Sequence, residues 1–169
     1  MRIGLFEVPP EDDAAFLADW DRERTGEGAR LLRALRADAR FRYVELVPGG
    51  EDYALLHQHG TPDVEGGVVR VDLVAVPPGE DAAFLAAWER VHAICTGRRG
   101  YLGTRLYRAA VPGGPRFVEV ARWSSPLMVA RTLALPELRE AAAFPSEAAL
   151  YQPVRGDPER RTDRSRPRD

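Results

Sequence analysis

Glu119, His92, Arg105 and Tyr107 are the side chains whose types and spacing suit proton transfer beside an apolar surface. Glu119 lies in the run Phe117-Val118-Glu119-Val120-Ala121-Arg122-Trp123. The alternation of an extended strand puts Phe117, Glu119, Ala121 and Trp123 on one face. A carboxyl group held on such a face loses hydration, which raises its pKa and suits it to act as a base near neutrality. The same position also suits a glutamate paired with an arginine inside the fold. Arg105 and Tyr107 share a face of a neighbouring strand, where the guanidinium would hold an enolate and the phenol would hydrogen-bond it. The plain alternative is an arginine–glutamate pair beside a packed tyrosine. His92 follows Trp88 on one helical stripe and is the acid–base side chain best tuned to neutral pH. Cys95, one turn further, reads as a small apolar group. His57 and His59 share one side of a strand, a spacing that suits two metal ligands. With no HExxH or CxxC pattern, no metal site is expected. No glycine loop of the phosphate-cradling kind is present, and the absence of lysine rules out a lysine Schiff base.

The elements that must position these residues come from an internal repeat. Val8-Pro9-Pro10-Glu11-Asp12-Asp13-Ala14-Ala15-Phe16-Leu17-Ala18-Asp19-Trp20 recurs as Val76-Pro77-Pro78-Gly79-Glu80-Asp81-Ala82-Ala83-Phe84-Leu85-Ala86-Ala87-Trp88. Gly28-Ala29-Arg30-Leu31 echoes Gly103-Thr104-Arg105-Leu106, and Arg42-Tyr43-Val44-Glu45 echoes Arg116-Phe117-Val118-Glu119. Three matches in the same order indicate duplication. In each half a β-rich run (3–8, 68–76) stops at a Pro-Pro pair, which cannot continue a ladder. Acidic residues then open a helix, where negative charge meets the positive end of the helix dipole. The helices are expected to end near Thr25-Gly26 and Thr96-Gly97. Two strands follow each helix, at about 29–37 and 40–47, then at about 101–110 and 116–123.

After Trp123 the halves diverge. Ser125-Pro126 is a helix cap and first-turn pair, Pro136 starts a second short helix, and a last strand spans about 149–154. The first half has no room for these helices. Its Pro48-Gly49-Gly50 turn leads straight to a strand over 53–59, with a short helix at 51–58 as the alternative. The expected organisation is a βαββ half over 1–60, a linker at 61–67, a complete βαββαβ half over 68–155, and a charged, disordered tail at 156–169. The fold class is α+β, with two ferredoxin-like halves and the first lacking its second helix.

Bulk properties narrow the partners. A net charge of −2 and a pI near 6.0 argue against a nucleic-acid binder. No run approaches the roughly 20 apolar residues of a membrane span. The opening Met1-Arg2-Ile3-Gly4-Leu5-Phe6-Glu7 carries too short an apolar run for a signal peptide, and the lone Cys95 forms no internal disulfide, so a cytoplasmic location is expected.

The string Val76-Pro77-Pro78 … Phe84-Leu85-Ala86-Ala87-Trp88, then Gly103-Thr104-Arg105-Leu106-Tyr107-Arg108, Phe117 to Ser125, Leu135-Pro136-Glu137-Leu138 and Ala149-Leu150-Tyr151 resembles the antibiotic biosynthesis monooxygenase family over about 70–155. The match over 1–60 is weaker. The resemblance implies a barrel of two α+β units, here a pseudo-dimer within one chain, with further homodimerisation left open. It also implies oxygenation of a small aromatic, polycyclic, polyketide-like substrate, with O2 as co-substrate and no cofactor. Trp123 matches a family tryptophan and would wall the pocket with Phe117, Trp88 and Met128. Arg105 and Tyr107 would polarise the substrate, and Glu119 or His92 would move the proton. The oxygenating subfamily carries Asn where Glu119 stands, and the first half has Gly49 in place of Trp123. The alternatives are a cyclase or isomerase on the same fold, or a non-catalytic small-molecule-binding barrel.

Overall fold

The structure, a computed structural model, describes residues 1–23, 28–61 and 66–154. The expected helix end at Thr25-Gly26, most of the linker and the charged tail lie outside the described residues. In chain order the elements are β1 (Arg2–Phe6), α1 (Asp13–Glu23, after a 3-10 turn at Pro10–Asp12), β2 (Arg30–Ala34), β3 (Tyr43–Val47), β4 (Tyr53–Gly60), β5 (Val68–Val74), α2 (Asp81–Thr96), β6 (Tyr101–Ala109), β7 (Phe117–Trp123), α3 (Pro126–Leu133), α4 (Pro136–Ala141) and β8 (Ser146–Pro153). The segment after Pro48 is a strand, not the alternative helix. The last strand starts at Ser146, before the expected Ala149, because its first residues pair with β5.

The eight strands form one antiparallel sheet in the order β1-β3-β2-β8-β5-β7-β6-β4. Within the second half the order β8-β5-β7-β6 is that of a ferredoxin-like unit. β8 also pairs with β2 of the first half, and β4 leaves its own half to pair with β6 of the second. Each half therefore covers an edge of the other, which removes exposed ladder groups. The sheet curls until its two end strands meet. The Tyr53 amide donates to the Met1 carbonyl at 2.9 Å, and the Met1 amino group donates to the Tyr53 carbonyl at 2.8 Å.

Strand alternation sorts the side chains into two layers. Leu32, Val44, Val69, Val71, Tyr107, Val118, Val120 and Tyr151 fill the space enclosed by the sheet, drawing on both halves. The opposite faces of β5, β6 and β7 carry Val74, Leu106, Phe117, Ala121 and Trp123 toward α2 and α3. Ser125 caps α3 by accepting from the Met128 amide at 3.4 Å, with Pro126 in the first turn. Among the described residues no helix is long and apolar enough to cross a membrane.

Both halves tie the start of their first helix to the sheet in the same way. Asp13 accepts from Arg42 at 2.8 and 3.2 Å and pairs with Arg33. Asp81 accepts from Arg116 at 2.8 and 3.0 Å and from Arg108 at 2.5 Å. The Arg42 hydrogen bond is the main cause that lowers Asp13 to about 2, against the ordinary 3.8. A lowered carboxyl pKa stabilises the fold fully above the unfolded value, and that contribution is lost as pH falls toward 2. Since Arg33 and part of Asp13 remain hydrated, screening holds the effect of Asp13→Asn to about 1 kcal/mol at pH 7. Denaturant unfolding should show that loss at pH 7. The difference between wild type and variant should close between pH 4 and pH 2.

Candidate functional site

The site is built on the helix-facing side of β5, β6 and β7. Glu119 on β7 stands directly opposite Asp72 on β5, and both point into the layer beneath α2. Two carboxyl groups at directly opposed positions repel when both are ionised. Asp72 is 5% exposed, and its Oδ1 receives Arg70 at 2.5 Å and Ser146 Oγ at 3.3 Å. Its Oδ2 has no partner. Glu119 is half-buried, with Thr104 Oγ1 donating to its Oε1 at 2.9 Å. Burial first, and the charge of Asp72 second, push Glu119 up to about 7. Burial also raises Asp72, against the pull of Arg70. The pair therefore holds an exchangeable proton near neutral pH, which is what a general base or acid requires.

The first half supplies an internal control. Glu45 occupies the place of Glu119, and Trp20 that of Trp88. Trp20 Nε1 donates to Glu45 Oε1 at 2.9 Å, and Arg2 reaches Oε2 at 3.3 Å. The residue opposite Glu45 is Gly4, where the second half has Asp72. A side chain at Gly4 would run into the Phe6 ring. In the second half Arg70, the counterpart of Arg2, turns to Asp72. The Trp88 N–H lies near enough to Glu119 to favour its ionised form, but no hydrogen-bond geometry satisfies it. One glutamate is tied into the structure, and its copy is left opposite a second acid.

Around this pair the structure gathers some expected residues and separates others. Trp88 lies flat against His92, with ring centroids 4.8 Å apart and planes 6° apart. Trp123 is 3% exposed and meets Tyr101 edge to face at 5.0 Å, in a cluster with Val129 and half-buried Met128 and Cys95. Its Nε1 has no partner. Phe117 is wholly buried against Phe84 at 4.3 Å and serves the core.

Arg105 and Tyr107 do not join Glu119. The register sets Leu106 opposite Glu119, whereas Tyr107 opposes Val118 and Arg105 opposes Val120. Their side chains therefore leave the other face of the sheet. Tyr107 packs inside the barrel, and Arg105 donates to Gln58 Oε1 at 2.9 Å. They cannot polarise a substrate bound against Trp123. Between sheet and α2 the layer is packed with the rings of Phe84, Phe117, Trp88 and His92. A described groove of about 390 Å³ lies beside the β6–β7 hairpin, lined by Val76, Ala109, Val111 and Arg116 among others.

Asp72, Arg70, Thr104 and Tyr101 complete the site and went unnoticed in the sequence. Asp72 did leave a signal: it is the one acid in the apolar run Val68-Val69-Arg70-Val71-Asp72-Leu73-Val74, at a position where the repeat has Gly4. Cys95 is pushed up to about 12 by burial and then by the Glu119 charge, so its thiol stays protonated. Burial, then the neighbouring His57 and His59, lower His92 to about 4. No group of three or more His, Cys, Asp or Glu among the described residues is arranged to hold a metal ion.

No family model matches the sequence, and no curated protein matches it. Solved structures do. An anthrone oxidase-like protein superposes with a TM-score of 0.64 at 13% identity, over 90% of this chain and 89% of its own. An uncharacterized ferredoxin-fold protein related to antibiotic biosynthesis monooxygenases, from Listeria monocytogenes, gives 0.57 at 16% identity, over 88% and 91%. A heme-degrading enzyme from Listeria monocytogenes gives 0.56 at 18% identity, over 88% and 97%. The chain thus has the fold of the ferredoxin-like proteins related to antibiotic biosynthesis monooxygenases, and the match runs through both halves.

Glu119 makes a stability prediction. A carboxyl group raised on folding holds its proton more tightly in the native state, so stability falls as pH rises from 4.5 to about 7 and then levels. Glu119→Gln should remove that decline. The variant should match wild type near pH 4 and exceed it at pH 8 by about 1 to 3 kcal/mol, read by denaturant unfolding at each pH.

Proposed function

We propose that the protein is an acid–base enzyme of the cofactor-independent oxygenase type, acting on a small aromatic polycyclic substrate with an acidic C–H or O–H. The observation that carries this reading is the Glu119 carboxyl, held near neutrality opposite Asp72, where the first half ties its own glutamate into a structural bond. The base takes a proton from the substrate, and the resulting enolate passes an electron to O2. Recombination gives a peroxide. Loss of water from it leaves a carbonyl, so a CH2 group and O2 become C=O and H2O. Glu119 returns its proton to the departing hydroxide. The half-buried Tyr101, Cys95 and Met128 mark the side from which a ring system would approach, with Trp123 behind them. Its indole N–H is buried without a partner, and a small shift of the half-buried side chains in front of it would turn this donor toward a developing oxyanion. The first half serves as the built-in partner that completes the barrel.

A cyclase or isomerase is the second reading. It is favoured by one observation: Glu119 is an acid where the resemblance expects an amide, and an acid suits proton transfer without O2.

Oxygen uptake by the purified protein decides between them, measured without added cofactor on a panel of anthrones and hydroxynaphthalenes, with and without chelator. Uptake above the spontaneous rate should survive chelation and should rise with pH through about 7, as Glu119 ionises. Glu119→Gln should lower kcat by about 100-fold or more, and Trp123→Phe should lower it less. Anaerobic conversion of a substrate with no O2 uptake would replace the oxygenase reading with the isomerase one.

A further inference from the structure

All three histidines of the chain meet over α2, though they come from different halves. His57 and His59 on β4 have rings 5.0 and 5.1 Å from His92 on α2. Two β-bulges make the meeting possible. The register of β4 on β6 shifts between Leu55 and His57, which sets His57 opposite Leu106 and His59 opposite Thr104, on the helix-facing side. The register of β6 on β7 shifts between Tyr101 and Gly103. Without that extra residue Tyr101 and Thr104 would face opposite sides of the sheet. With it, both face α2. The strands can close here because Gly103, at φ 153°, has no side chain. A Cβ there would lie 2.5 Å from the His59 carbonyl oxygen.

A row of polar groups results on this face. Thr104 Oγ1 donates to Glu119 at 2.9 Å, and its side chain lies near enough to the Tyr101 hydroxyl to favour its ionised form. The Tyr101 hydroxyl lies 3.3 Å from His92 Nδ1. The His92 ring reaches His59, which is exposed. The first half has Ala29 at the place of Thr104, so no such line leaves Glu45.

We propose that Thr104, Tyr101, His92 and His59 form a proton path connecting Glu119 to solvent. The proposal rests on the reading of Glu119 as the proton acceptor. Inward, the His92 Nδ1–H donates to Tyr101, the Tyr101 O–H to Thr104, and the Thr104 O–H to Glu119. A proton taken up at His92 Nε2 thus delivers one to the carboxylate. Outward, each bond reverses. Every hydroxyl gives one proton and takes one, so no charge remains on the path. Burial, then the Glu119 charge, raise the Tyr101 phenol, so it stays a neutral hydroxyl throughout. The other groups facing the path are His57 from β4, Cys95 and Trp88 from α2, and Asp72 and Arg70 from β5.

The first test needs no substrate. In protein carrying nitrogen-labelled histidine, the His92 ring signals should move with a midpoint near pH 7, reporting Glu119 through the path. Glu119→Gln and Tyr101→Phe should each abolish that response while circular dichroism stays native. A His92 signal indifferent to pH near 7, or a response that survives Tyr101→Phe, would overturn the path and leave the function of Glu119 untouched. On a substrate that consumes O2, Tyr101→Phe and His92→Ala should lower kcat about 10-fold at unchanged KM. Added imidazole should restore it in His92→Ala. Unchanged kcat in both variants would also overturn the path.

Discussion

A four-stranded ferredoxin-like unit has open edges, and covering them is the constraint on which the rest of this molecule depends. Each half sends its last strand to the other: β8 reaches β2, and β4 reaches β6. The eight strands then curl until Met1 and Tyr53 exchange backbone hydrogen bonds. Unpaired edge groups cost free energy when buried and invite association when exposed, and this closure answers both within one chain. It also decides what lies beneath α2. Because β4 crosses over, two histidines of the first half sit against the helix of the second.

On that shared frame the two halves differ in the contacts their side chains make. The helix-to-sheet clasps, Asp13 with Arg33 and Arg42 and Asp81 with Arg108 and Arg116, are the same device used twice. The glutamates are not. Glu45 is bonded to Trp20 and Arg2, whereas Glu119 faces Asp72. A buried charge is tolerated when it is paired, and a carboxyl group beside a second acid holds its proton more tightly. Gly4 stands opposite Glu45 and Asp72 opposite Glu119, and burial together with the Asp72 charge raises Glu119.

A shared fold does not fix chemistry, which rests on the side chains of the site. Arg105 and Tyr107, which strand spacing alone recommends as substrate-polarising groups, serve the opposite face. Their replacements on the site face are Thr104 and, through a bulge, Tyr101. The donors nearest the acid pair are therefore the Thr104 and Ser146 hydroxyls and the Trp88 indole N–H, with the Arg70 guanidinium held by Asp72.

The sequence alone determined the helices and strands and their order. Pro-Pro stops, acidic helix starts and alternating strands are local signals, and the repeat displays each of them twice. It also placed Glu119 and Trp123 on one face and His92 above Trp88, since periodicity within one element is a local property. Register, bulges and strand exchange were decided only in the tertiary structure. They are set by which edge finds which partner, and a one-residue shift turns every following side chain to the other face. For that reason Asp72 opposite Glu119, Tyr101 beside Thr104, and His57 and His59 against His92 became visible only once the barrel was closed.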